Sequence, residues 1–206
     1  MSTRRQTGFT TIEIVIAIAA IALLTGTIAP FAGSALELAR LDRATREVES
    51  IGRAVEHFRA SVGQWPACNR AGAIAVTKLV SGDVLPTVNP WRNTSAFDAE
   101  FAAGTIDTLR NQLQSNTPQG VAAEAWDTTG TASPWIGPYL KQSPLDPWGR
   151  PYLVTVRSGW STDVVADRGV WVLSAGPDGC VQTTTYDYNA RPVGDDIGWL
   201  VRMRHP

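Results

Sequence analysis

Hydrophobic and polar positions divide the chain into an apolar run, an amphipathic run, a mixed middle and a β-rich end. Ile14 to Ile28 is apolar and carries no basic residue. Pro30 and Gly33 then break the pattern, and a proline there removes a helical hydrogen bond and is expected to bend or locally melt the helix. The pattern resumes with Leu38, Leu41, Ala44, Val48, Ile51, Val55, Phe58 and Val62 at steps of three and four, the spacing of one helix face. Arg43, Arg46, Glu49, Arg53, Glu56 and Arg59 fall on the opposite face. A single long helix from Phe9 to about Val62 is predicted. It stops at Gly63, and Trp65-Pro66 seals the exit because proline disfavours helix for the residue before it.

From Asn69 to Pro134 the pattern is weaker. Ala73 to Val80 reads as a short helix, and Phe97, Phe101, Ile106, Leu109 and Leu113 predict a second from Ser95 to Asn116. Asn, Thr, Pro and Gly cluster at Pro86 to Thr94 and at Asn116 to Ser133, as in surface loops. The last third changes character. Tyr152 to Val156 and Val170 to Leu173 are β-branched and aromatic runs bounded by turn residues, and Ile197 to Val201 is a third, so three strands are expected. With Arg157 to Gly169 as a hairpin loop, the fold class is α+β, a small antiparallel sheet packed on the amphipathic helix.

Charge changes the picture at the start of the chain. Arg4 and Arg5 precede the apolar run, which predicts a membrane helix starting on the cytoplasmic side and everything beyond residue 30 facing outward. Glu13 is out of place, since a carboxylate in an apolar segment costs about 2–3 kcal/mol unless it lies near the headgroups, is protonated or is paired. A secretory signal peptide cleaved near the small residues Ala32 to Ala35, or a plain signal anchor, has the same hydropathy, but neither accounts for the acid.

Overall, 18 basic residues balance 19 acidic ones, which gives no electrostatic footprint for nucleic acid. The only histidines are His57 and His205, so a zinc site or a Ser-His-Asp triad would rest on His57, a solvated helix position. Neither common phosphate-loop pattern occurs, and an enzyme is not expected. Cys68 and Cys180 fall outside the cytoplasm in this topology, where disulfides persist. A bridge between them would contribute about 4–5 kcal/mol on the chain-entropy account of a loop of roughly a hundred residues; two unpaired thiols are the alternative.

The leader Arg4-Arg5-Gln6-Thr7-Gly8, with Phe9 and then Glu13, resembles the class III signal of type IV pilins and pseudopilins. Gly137-Pro-Tyr-Leu140, Leu145-Asp-Pro-Trp-Gly-Arg-Pro-Tyr152, Leu173-Ser-Ala-Gly-Pro-Asp-Gly179 and Asp195-Asp-Ile-Gly-Trp199 are similar, in this order, to motifs of the major pseudopilin of type II secretion systems. The likeness covers about residues 4–66 and 135–200. It implies a pilin-like fold with a leader at 1–8, a transmembrane and assembly half of the helix at 9–31, an amphipathic half at 32–66, a variable insert at 67–134 and the sheet at 135–206.

The resemblance also implies chemistry. A prepilin peptidase would cut between Gly8 and Phe9, Phe9 would be N-methylated, and Glu13 would pair with the new amine of a neighbouring subunit. Subunits would leave the inner membrane and polymerise into a helical homopolymer in the periplasm that drives folded cargo outward. An assembly ATPase, its membrane platform and minor pseudopilins are the implied partners. Asp178, Asp195 and Asp196 match aspartates that bind one calcium in these proteins, and calcium takes such carboxylates together with carbonyls and water. Aspartates also simply favour turns. The long stretch from Asn69 to Pro134 and the expanded segment Cys180 to Val193 depart from the family pattern. They leave room for a true type IV pilin of a surface filament, or for an anchored extracytoplasmic binding module with Asp98, Glu100, Asp107 and Trp126 around a cleft.

Overall fold

The computed structural model describes residues 9–70, 75–92, 102–103, 105–130, 133–156, 170–183 and 191–202. Helix α1 runs from Thr11 to Val62, and its backbone stays helical through Pro30 where an interruption was expected. Thr10 caps its start: the Glu13 N–H donates to the Thr10 hydroxyl at 3.4 Å. The Thr10-Thr-Ile-Glu13 spacing is that of a capping box, and an acid in the first turn complements the helix dipole. At the far end the Gly63 N–H donates to the Arg59 carbonyl at 2.8 Å, and the Arg59 guanidinium lies 4.1 Å from the centre of the Trp65 ring.

Contacts divide the chain into two units, one ending at Arg40 and the other beginning at Leu41. In the first, the large apolar side chains are exposed: Phe9, Ile12, Val15, Ile18, Ile21, Leu23 and Leu24 are all at least 59% accessible. This is the one described helix long and apolar enough to cross a membrane.

The second unit holds a five-stranded sheet: β1 (Lys78–Val80), β2 (Ile106–Thr108), β3 (Leu153–Thr155), β4 (Val170–Ser174) and β5 (Ile197–Val201), in the order β2-β1-β3-β4-β5. The expected antiparallel meander is β3-β4-β5, with Val154 opposite Val172 and Trp171 opposite Leu200. The sheet as a whole is mixed, because the middle of the chain adds β1 antiparallel to β3 and β2 parallel to β1.

Both helices expected in that stretch are therefore corrected where it is described. Lys78 to Val80 and Ile106 to Thr108 are strands, and Arg110–Gln114 forms a single turn of π-helix. The helical spacing of Ile106, Leu109 and Leu113 arises differently: Ile106 packs on one sheet face, and Leu109 and Leu113 pack on the other. Residues 71–74, 93–101 and 104, and the loop from Arg157 to Gly169, lie outside the described residues.

Two apolar layers follow from strand alternation. Val48, Ile51, Val55, Phe58 and Val62 of α1 pack against Tyr152, Val154, Val170, Val172 and Val201 on one face. Leu153, Trp171, Leu173, Val80 and Trp91 fill the other. Full burial of each such side chain stabilises by about 1.5–3 kcal/mol. Gly52 seats the Trp199 indole against the helix, since a Cβ there would stand 2.3 Å from the Trp199 Cδ1.

Candidate functional site

β4 and β5 are antiparallel neighbours, and Ser174 is paired with Ile197. The chain just after β4 and the chain just before β5 must therefore emerge side by side, which brings Asp178, Asp195 and Asp196 to one end of the sheet. The two loops touch directly. The Asp178 N–H donates to Asp195 Oδ2 at 2.9 Å, and a Cβ on Gly176 would lie only 2.2 Å from the Asp195 carbonyl oxygen.

The segment after Cys180 ties the two loops together at its described ends. The Gln182 and Thr183 N–H groups both donate to Asp196 Oδ2, at 2.7 and 2.6 Å, and the Val193 N–H donates to the Thr183 hydroxyl at 3.0 Å. Neither Gln182 nor Thr183 stood out in the sequence, since backbone donors leave no residue-type signal.

Asp196 is buried, and burial pushes its carboxyl above the usual carboxylate range; bonds from Thr183 and Gln182 pull back, and neighbouring Asp195 pushes further up. Its Oδ1 is buried without a hydrogen-bond partner. A buried acceptor of this kind costs about 1–3 kcal/mol when nothing satisfies it. An oxygen-seeking cation would meet that need, with Asp178, Asp195 and Asp196 as the carboxylates at this end of the sheet. Among the described residues, no group of three or more His, Cys, Asp or Glu side chains is spaced so that it could hold a metal ion.

A second carboxylate braces the loops from behind. Asp146, in the Asp-Pro-Trp-Gly turn, accepts from the N–H groups of Trp148 and Arg150 at 3.0 and 2.8 Å and from the Ser174 hydroxyl at 2.8 Å. Ser174 Oγ in turn accepts from the Gly176 N–H at 3.3 Å. The Arg150 guanidinium lies against Gly179, where a Cβ would meet its Cζ at 2.2 Å.

The remaining sequence-predicted residues lie elsewhere. Gly8 is outside the described residues, Phe9 is 80% exposed, and Glu13 sits in the first turn of α1. Cys68 and Cys180 are thiols, not joined by a disulfide. Cys68 is buried in the layer under α1, whereas Cys180 adjoins Val181 of the opposite layer, so the sheet separates their surroundings.

Asp107 and Trp126 are both engaged in holding the fold together. Asp107 is buried and accepts from the N–H groups of Thr108 and Gln119 and from the side-chain amides of Asn111 and Gln112, at 2.6–2.8 Å, which pins the loops after β2. Trp126 packs edge-on against Phe58 with ring centres 5.9 Å apart. Asp98 and Glu100 are outside the described residues.

Residues 106–190 match the family profile of type II secretion system protein G. The matched span begins at β2, inside the stretch set apart as an insert, and runs through β3 and β4 into the first acidic loop. No curated protein and no solved structure matches the chain. Taken with the long N-terminal helix and the small mixed sheet, the match supports a type IV pilin-like pseudopilin.

Proposed function

We propose that the chain is a structural subunit of a pilus-like fibre, a pseudopilus, that drives protein secretion across the outer membrane. The observation that carries the reading is the protein G match at 106–190 behind a helix whose apolar half is exposed along its length. Such a surface is stable in lipid or against other apolar helices and not in water. Transfer of the helix from the inner membrane into a bundle of identical helices keeps it out of water throughout. The work is mechanical, with an assembly ATPase, a membrane platform and minor pseudopilins as partners.

In this reading a prepilin peptidase removes the leader after Gly8, Phe9 becomes the methylated first residue, and Glu13 faces the amine of the adjacent subunit. The N-cap geometry supports the placement, because an acid in the first helical turn lies close to the chain start. Intact mass of membrane-extracted protein is expected to correspond to a chain beginning at Phe9 with one added methyl group. Glu13→Ala is expected to insert normally and to lose fibre assembly; Glu13→Ala cells that build fibres at normal yield would refute the pairing.

Asp178, Asp195 and Asp196 are proposed to hold one calcium ion. Calcium supplies positive charge that offsets three carboxylates and gives the buried Asp196 Oδ1 a partner. The residues themselves contribute the register: the β4–β5 pairing fixes where the two loops meet. Calcium should then raise the melting temperature by mass action, and Asp178→Ala should abolish that rise.

A further inference from the structure

One side chain touches both acidic loops. Gln182 donates its backbone N–H to Asp196 Oδ2 at 2.7 Å and its side-chain Nε2 to Asp178 Oδ2 at 2.9 Å. Its Oε1 lies directly over Gly194, where a Cβ would stand 1.4 Å away. Asp178 is itself bonded through its N–H to Asp195 Oδ2 at 2.9 Å. The Gln182 amide therefore lies between Asp178 on one loop and Gly194 on the other, and only a residue without a side chain leaves room for it at 194.

The direction of the Asp178 contact is informative. An N–H donor and a metal ion compete for the same lone pairs of a carboxylate oxygen, so Nε2 stands where an electrophile belongs. The amide has two ends of nearly equal shape and opposite polarity. Half a turn about its last side-chain bond exchanges Nε2 for Oε1 and converts the side chain from a hydrogen-bond donor into a hard oxygen ligand. Calcium accepts amide carbonyls of this kind alongside carboxylates.

We infer that Gln182, in the loop that follows β4, supplies its amide oxygen as a further calcium ligand beside Asp178, Asp195 and Asp196. The inference rests on the calcium reading above. A purely structural role, a clip from residue 182 to Asp178, predicts different behaviour.

The test is a calorimetric titration of the full chain in detergent micelles with calcium chloride after chelator dialysis, paired with melting temperatures with and without calcium. Gln182→Ala is expected to weaken calcium binding by about tenfold, the order found for groups that support a metal site. Gln182→Glu adds a fourth carboxylate; it is expected to lower the calcium-free melting temperature, to tighten calcium binding and to recover fully when calcium is added. Gln182→Ala binding calcium as tightly as the wild type would overturn the inference. So would a Gln182→Glu protein destabilised equally with and without calcium, the mark of a lost clip. A wild-type chain that shows neither binding heat nor a thermal shift fails the calcium reading itself, and does so before any variant is made.

Discussion

Replacing Gly176 by alanine probes how tightly the two acidic loops are joined. Gly176 has φ +61°, a left-handed conformation, and its missing Cβ would stand 2.2 Å from the backbone oxygen of Asp195. Two costs follow. The left-handed backbone costs an L-residue about 1–2 kcal/mol. The contact is with backbone, which cannot rotate away, so the loop before β5 must retreat by about 1 Å to reach ordinary separation, against the Ser174–Ile197 pairing. Such overpacking costs about a further 1–3 kcal/mol.

Gly149 is the internal control: its φ is +84°, and nothing lies within 4 Å of its Cβ position. Gly149→Ala should incur the conformational cost alone. In a chain of this length each kcal/mol moves the melting temperature by about 2–4 °C. With calcium chelated throughout, Gly149→Ala is expected to lower it by roughly 2–8 °C, and Gly176→Ala by roughly 2–12 °C beyond that. Circular dichroism melts of the two variants in the same detergent decide the matter. Equal shifts would show that the loops are not in contact at Gly176, and the convergence of Asp178 with Asp195 would fall with it.

Burial pushes the Cys68 thiol up to about 11, so iodoacetamide at about pH 8 should label half-exposed Cys180 in the native protein and Cys68 only after unfolding; peptide mass mapping without reductant reads this, and a bridged pair would take up no label in either state. Burial, opposed by bonds from Arg150, Ser174 and Trp148, holds the Asp146 carboxyl above its ordinary value. The folded state then binds that proton more tightly than the unfolded state. The stability it contributes is present in full below the unfolded value of about 3.9 and is lost as pH rises through the raised folded value. Buried Asp196 acts with the same sign when calcium is absent. Urea denaturation between about pH 4 and 7 under chelator should therefore show falling stability, and Asp146→Asn should flatten part of the slope; an unchanged slope would remove Asp146 as its source.

β3 and β4 are legible because their residue types suit burial on both sides, and β5, only partly buried, because its ends are β-branched around an aromatic residue. Val170-Trp-Val-Leu-Ser174 is buried at every position, and its β-branched and aromatic run announces it. β1 and β2 have three residues each and include Lys78 and Asp107, both buried, so they break the usual signal. Their parallel pairing also joins segments far apart in sequence, which no local pattern encodes. The three aspartates were legible because they flank strands whose pairing could be guessed. Gln182 was not: its position depends on a backbone path, and a lone polar residue in a long loop looks like any other.

The arrangement of the core bears on the order in which it can form. Val48 to Val62 of α1 share their core with Val76, Leu109 and Trp126, but also with Tyr152, Val172 and Val201, which are made roughly a hundred residues later. The helix face is not fully sheltered until β5 has been synthesised. β5 is the edge strand beside β4, and it closes the sheet with Trp199 seated on Gly52. Contacts of such long sequence separation close slowly, on a scale of milliseconds to seconds rather than microseconds. A nascent chain halted before residue 197 would carry a greasy, half-covered helix as a liability for its whole lifetime, so truncation before β5 should lead to degradation or aggregation rather than to a smaller folded protein.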